Sequence, residues 1–544
     1  MKRTFFGLVC LAFLYGCSSP ESSTTSGKFE IDTVAVANHL KTLSSDAFEG
    51  RKPFSPGEEK TINYLKEQFE KIGLEPGNGD SYFQDVPMVQ INGTPDANMS
   101  VTGGKTPVTL SLNDEYVAYT DRPVESVSLD NSEVVFAGYG VVAPEYGWND
   151  YEGLDVKGKT VIVLVNDPGF GSGDSTLFKG EQMTYYGRWT YKYEEAARQG
   201  AAGCFIVHET VPAGYPWLVV SNSWSGGRLT LDGDPGNLCA VQGWITRDAA
   251  IKLFEASGKD LRNFREMSRN KNFQPISLGM NTSIGLTNTI ERNTSKNVIA
   301  QIQGTEKPDE AIVYSAHWDH LGIGTPIDGD SIYNGALDNA SGTAVLLGLA
   351  QAFANKEVMP KRTVVFLAVT AEEQGLYGSQ YYAENPTFDP QKIVANINMD
   401  GASYNGKMKD LTVIGYGQSD MDDLAATVAK TQDRYIIPDP DAGKGYFYRS
   451  DHFNFAKIGV PALYASADYE AVDGGVEAIQ AQKDAYLTGR YHRPQDEYDA
   501  VDWQYGGLYQ DAMLYLTIGD QLANSNSFPK WKEGSEFKSI REGN

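Results

Sequence analysis

The chain has 544 residues, too many for one ordinary domain of roughly 100–200 residues. A large domain with at least one smaller one is expected. With 41% hydrophobic residues the composition is globular, and a net charge of −25 excludes attachment to nucleic acid or to an anionic membrane through a basic face.

The chain opens "MKRTFFGLVCLAFLYGCSS". Lys2 and Arg3 make a basic start, and Phe5 to Tyr15 an apolar stretch. That stretch is too short to span a bilayer, which takes about 20 residues, and it fits a secretory signal over 1–16. "LYGC" resembles the lipobox of bacterial lipoproteins. The resemblance implies that Cys17 becomes a lipidated N-terminus and that membrane attachment is through this lipid alone. Ser18 in place of Asp implies sorting to the outer membrane, facing the periplasm or the surface. An ordinary signal peptide cleaved nearby is the alternative. Residues 17–28 are small and polar, a flexible tether. No later segment is apolar enough to span a membrane.

Residues 29–129 form the N-terminal part of the large domain. Helix is predicted within 30–75, where Ile62, Leu65, Phe69 and Ile72 recur at helical spacing and Gly73 closes the run. Short strands follow over 85–130. Strands are then predicted at Val134–Val142 and Thr160–Val165, and a helix through Tyr193, Ala196 and Ala197 precedes the strand in "GAAGCFIVHE". The block 130–255 resembles, through "GYG", "DVKGKTVIVL" and "EEAARQGAAGCFIV", the protease-associated domain inserted into exopeptidases. It holds Cys204 and Cys239, which export permits to bridge. Sequence does not set their Cα separation, so both states stay open.

From about 256 to 525 strands alternate with helices. Val298–Ile302, Ala311–Ala316, Val364–Val369 and Ile393–Asn398 are apolar, β-branched runs. The helix "SGTAVLLGLAQAFANK" between them turns Val345, Leu346, Leu349 and Phe353 inward. This predicts an α/β fold, a doubly wound mixed sheet with helices on both faces and a β-rich insertion. No internal repeat is evident, and 526–544 reads as a C-terminal tail.

The polar residues fall where strands end. His317 and Asp319 follow Ala311–Ala316, Glu372 and Glu373 follow Val364–Val369, and Asp400 follows Ile393–Asn398. Asp338 opens the intervening helix, and His492 lies in "GRYHRPQDE". Open α/β sheets bind ligands at the carboxyl ends of their strands. Adjacent glutamates alone read most simply as a solvated loop. Together with these histidines and aspartates they read as a site for two Zn2+ ions. Asp338 would bridge, since a carboxylate has two oxygens. His317 and Asp400 would complete one site, Glu373 and His492 the other. Glu372 is left to carry a proton.

The segments "SAHWDHLG", "YNGALDNASGTAVLL", "FLAVTAEEQGLYGS", "NINMDG", "RSDHFNFAKIGVPAL" and "YHRPQDE" resemble the di-zinc aminopeptidases of clan MH, the secreted bacterial leucyl-type enzymes. The resemblance covers about 290–520 and the N-terminal helix. It implies that Asp319 accepts from His317 and that the Asp338–Asn339 peptide is cis. Tyr491 would donate to a developing oxyanion. The Arg449 backbone carbonyl would hold a substrate's free α-amine together with Glu372 and Asp400. Peptides with a free N-terminus are the expected substrates. The alternatives are a carboxypeptidase or dipeptidase on the same core, a glutaminyl cyclase, or a binding protein that has lost catalysis. His320 reads as a wall of the site and His452 as locally hydrogen-bonded. His39 and His208 lie outside it, and the aspartates of "PIDGDS" read as turn residues. The sequence leaves oligomeric state and side-chain specificity open.

Overall fold

The computed structural model describes residues 1, 29–224, 227–233, 238–499 and 502–543. Residues 2–28, which hold the expected signal, the tether and Cys17, lie outside them. The N-terminal helical region divides in three. Thr33–Leu43 starts at Asp32, whose carboxylate accepts from the Val34 and Ala35 N–H groups. A 3-10 segment, Asp46–Arg51, follows. Pro56–Ile72 starts at Ser55 and ends at Gly73, where φ of 89° suits glycine. Ile62, Leu65 and Phe69 are buried as their spacing requires, while Ile72 packs only at the margin.

The large sheet runs in the order Phe83–Pro95, Ile276–Ile302, Arg362–Val369, Lys307–His317, Ile393–Asn398, Ala462–Ser466, Asp410–Val413, Tyr435–Pro438. The four strands from Arg362–Val369 to Ala462–Ser466 are mutually parallel. Their neighbours on either side are antiparallel to them, so the sheet is mixed. Alternate residues face opposite layers. Ile312, Tyr314, Val364, Phe366 and Ala368 join one core with the helix Ser341–Ala354. Ala311, Val313, Val365, Leu367 and Val369 join another with Tyr382 and Phe455. Val345, Leu346, Leu349 and Phe353 are all buried. Helices therefore cover both faces, as the alternation predicted. Among the described residues no helix is long and apolar enough to cross a membrane.

A second lobe has its own core, drawn from Met99 to Leu286. Ser126–Phe136, Thr160–Leu164, Gly203–His208 and Val241–Thr246 lie parallel in that order. Antiparallel strands flank them: Tyr116–Tyr119 on one side and the first half of Ile276–Ile302 on the other. This lobe is wider than 130–255, because Asn98–Thr102 also pairs into it through Ile276–Ile302. Ser126–Phe136 stops short of Val142 because Gly138 and Gly140 turn the chain with φ of 56° and 65°. Cys204 and Cys239 are buried free thiols.

Ile276–Ile302 runs through both lobes. Further along, the Met183 N–H donates to the Ala442 carbonyl at 3.3 Å, and Lys179 pairs with Glu536 at 3.0 Å. Met183, Phe447, Tyr448, Phe453, Trp531 and Phe537 close over this junction. The expected tail is thus part of the core.

Candidate metal centre

His317 is the last residue of its strand, and Glu372 and Asp400 each follow a strand end by a short turn. The register sets His317 beside Val369 and Ser315 beside Asn398. Parallel pairing therefore brings these termini to one edge. Asp338 enters from the turn before Ser341–Ala354, and the Asp338–Asn339 peptide is cis. His492 arrives from beyond the helix Gly475–Gly489. Ala371 and His492 have φ of 53° and 56°, a left-handed backbone that costs a non-glycine residue about 1–2 kcal/mol and clusters at functional sites.

The two oxygens of Asp338 face different histidines. Oδ1 lies 3.3 Å from Nε2 of His317, and Oδ2 lies 3.3 Å from Nε2 of His492. His317 Nε2 is also 3.2 Å from Asp400 Oδ1, and His492 Nε2 is 3.1 Å from Glu373 Oε2. His317, Asp338 and Asp400 offer donor atoms within 4.8 Å of one another, and so do His320, Asp338 and Glu373. All five residues expected as ligands thus meet, in two groups joined by Asp338. His320 is more than a wall: its Nδ1 hydrogen-bonds Glu373 Oε1 at 2.5 Å.

Carboxylates dominate the electrostatics. Burial opposes charge on His317 and His492, yet the surrounding acids win. Glu372 and Asp400 raise His317 well above its usual range, and Asp338 and Glu373 raise His492 to about 10. Burial, with Asp400, Glu373 and Asp451 nearby, raises Glu372 well above an ordinary glutamate. Burial would raise Asp338 too, but His317 and His492 hold it well below. Imidazoles drawn toward the cationic form among this many acids mark a place built for added positive charge. Imidazole nitrogens with carboxylate oxygens are a donor set that suits Zn2+. His320 Nε2 and Asp451 Oδ2 are buried without a partner.

One expectation needs correction. Asp319 does not accept from His317 through its side chain: Oδ1 is 3.7 Å from Nδ1, and the Asp319 carbonyl oxygen at 3.2 Å takes that place. The carboxylate instead accepts from the N–H groups of Glu372 at 3.1 Å and Glu373 at 3.4 Å, holding the adjacent glutamates in place. His452 is buried against the Phe447 ring at 4.6 Å, and the Phe447 backbone is its local partner, outside good hydrogen-bond geometry. The Arg449 side chain, which its expected role leaves unused, donates to the Lys444 carbonyl at 2.6 Å. Tyr491 stacks on the His492 ring at 3.9 Å and is 44% exposed.

Sequence reasoning missed the residues behind these. Asp496 accepts from the N–H groups of Leu337 and Asp338 and so fixes the turn that presents Asp338. Arg51 is buried and donates to the carbonyls of Trp318, Leu43, Asn334 and Gly335. Asn339 donates to Met399 and accepts from Gly342 and Gly401, tying the Asp338 turn to the Asp400 turn. Asp496 stands within the quoted "YHRPQDE", and nothing in the sequence tells it from its neighbours.

Residues 297–517 match the sequence model of peptidase family M28. A probable zinc metalloprotease of Pyrenophora teres f. teres (strain 0-1) is 40% identical over 115 residues, 21% of this chain and 24% of that one. Aminopeptidase NAALADL1 of Mus musculus is 34% identical over 127 residues, 22% of this chain and 16% of that one. The match thus spans about a quarter or less of these relatives' length. The chain also resembles the solved aminopeptidase from Aneurinibacillus sp. strain AM-1, with TM-score 0.49 at 20% identity over 92% of this chain and 96% of that one. Residues 297–517, the segment that matches peptidase family M28, contain every histidine and carboxylate named in the site above.

Proposed function

We propose that the chain is a metal-dependent aminopeptidase that removes the N-terminal residue of peptides at a centre for two Zn2+ ions. The observation that carries this reading is Asp338, whose two oxygens face two histidines, each with a second carboxylate beside it. His317, Asp338 and Asp400 would hold one ion, and Asp338, Glu373 and His492 the other. His320 would orient Glu373 through its hydrogen bond. When bound, such ions polarise a peptide carbonyl and acidify water.

The chain's own residues do the rest. Glu372, held beside Glu373 by Asp319, takes a proton from the attacking water and returns it to the leaving amine. Burial among acids raises its affinity for that proton. Glu372 and Asp400, with the Arg449 carbonyl, receive the free α-amine. Tyr491 supplies a phenol to the developing oxyanion, which requires its ring to turn from the stack on His492. The second lobe is read as a protease-associated domain. Cys17 is read as the lipid anchor of an exported outer-membrane lipoprotein.

A carboxypeptidase or dipeptidase on the same core is the second reading. The observation that favours it is Arg188, a guanidinium that burial and the charge of Arg449 hold below its usual range, and a terminal carboxylate would relieve it. A panel of peptides with free and with acetylated N-termini, assayed with zinc content measured alongside, tests the choice. Cleavage of the free series alone supports the aminopeptidase, and cleavage of acetylated peptides from the C-terminus overturns it.

A further inference from the structure

Ala371, which precedes the adjacent glutamates, is buried and strained, with φ of 53°. Such a backbone persists only where its surroundings over-determine it. Its own turn holds it on one side: the Tyr377 N–H donates to the Ala371 carbonyl at 3.1 Å, and the Leu376 N–H to the Glu372 carbonyl at 3.0 Å. On the other side is a small apolar cluster, in which Ala371 joins Val86 and Met88, with Leu229, Leu231 and Tyr377 packed against them. Val86 and Met88 belong to Phe83–Pro95, a strand of the large sheet. Leu229 and Leu231 lie on Gly227–Leu231, a strand in the stretch of chain between Gly203–His208 and Val241–Thr246, which pair with each other in the second lobe. Gly227–Leu231 pairs antiparallel with Phe83–Pro95, on the side away from Ile276–Ile302, with Leu231 opposite Met88 and Leu229 opposite Gln90. Arg228 of the same strand lies over the rings of Tyr119 and Trp224, at 3.9 and 4.6 Å, and Tyr119 belongs to the second lobe.

Sheet pairing fixes this strand, and its alternation turns both leucines onto one face. That face packs on the residue that carries Glu372. Close-packed interiors pass displacement on to their neighbours, so removing both leucine side chains would let Ala371 relax from its left-handed backbone and turn Glu372 with it. Glu373 has further anchors in His320 and His492. Resting on the peptidase reading, we infer that Leu229 and Leu231 of the inserted strand are positioning residues for Glu372, so that the second lobe completes the catalytic geometry of the large domain.

The zinc-loaded protein is assayed with Leu229→Ala and Leu231→Ala, singly and combined. The combined variant is expected to lose kcat by about tenfold or more, because a small misplacement of a catalytic group is costly, while KM and zinc content stay near wild type. Leu229→Met with Leu231→Met restores the volume and is expected to keep the wild-type kcat. Leu253→Ala, in the core of the second lobe, is the control for plain destabilisation, expected to melt lower and to keep kcat. Amide exchange is followed alongside over 371–378, where the N–H groups of Gly375, Leu376, Tyr377 and Gly378 are hydrogen-bonded within the turn. It is expected to speed by about tenfold in the combined variant and to stay unchanged in Leu253→Ala. Each single variant reads the same quantities, so misfolding of the combined one leaves the test standing. An unchanged kcat in the alanine variants, an equal kcat loss in Leu253→Ala, a loss of zinc that matches the loss of kcat, or unchanged exchange over 371–378 overturns the inference. If wild type cleaves no peptide, the peptidase reading fails, and the exchange still decides whether the strand holds the glutamate turn.

Discussion

Two adjacent glutamates take different surroundings. Glu373 meets His320 and His492, while Glu372 is left among Asp400, Asp451 and His317. Glu372→Gln is expected to keep its zinc and to lose turnover by about 10²–10⁴-fold. Metal analysis beside kcat checks this, and a near-normal rate would remove the proton-carrying role. His452 makes a separate prediction. Burial lowers it to about 3, so it stays neutral in the fold. Between about 6.5 and about 3 the unfolded chain binds a proton that the folded chain refuses. Stability is therefore lost as pH falls through that window, by up to about 1.4 kcal/mol per unit. His452→Leu should flatten denaturant midpoints measured from pH 7 to pH 4 relative to wild type. Equal slopes would contradict the assignment.

At the scale of elements, the site depends on turns. Strand pairing brings His317, Glu372 and Asp400 to one edge, but the turn bearing Asp338 is held by Asp496 and Asn339. Asp496→Ala should weaken zinc binding by about 10–100-fold with the fold intact, as read by chelator competition and circular dichroism. The strands, and the metal-capable residues that meet at their ends, were legible because apolar β-branched runs ended in such residues. Ile393–Asn398 was read to the residue. What stayed hidden was long-range hydrogen bonding. Nothing local says that Arg51 reaches Gly335, or that the Asp319 carboxylate serves two backbone N–H groups. The short strands Asp410–Val413 and Tyr435–Pro438 were also missed, since runs of this length carry little periodicity.

At the scale of the whole molecule, the C-terminal segment spans the lobe junction. Trp531 and Phe537 are 4% and 1% exposed, and Glu536 meets both Lys179 and Tyr448. Trp531→Ala is expected to cost about 3–5 kcal/mol and to speed proteolysis at the junction, as melting and limited digestion would report. The sequence showed only a tail, because burial of a terminal segment depends on a surface assembled from distant parts.

The central claim is that Asp338 joins two metal sites. The most direct measurement is anomalous diffraction from crystals grown with zinc, paired with metal analysis of Asp338→Ala. The account predicts two peaks flanking the Asp338 carboxylate, one beside His317 and Asp400, the other beside Glu373 and His492, and loss of both ions in Asp338→Ala. A single peak away from Asp338, or full zinc content in Asp338→Ala, would contradict it.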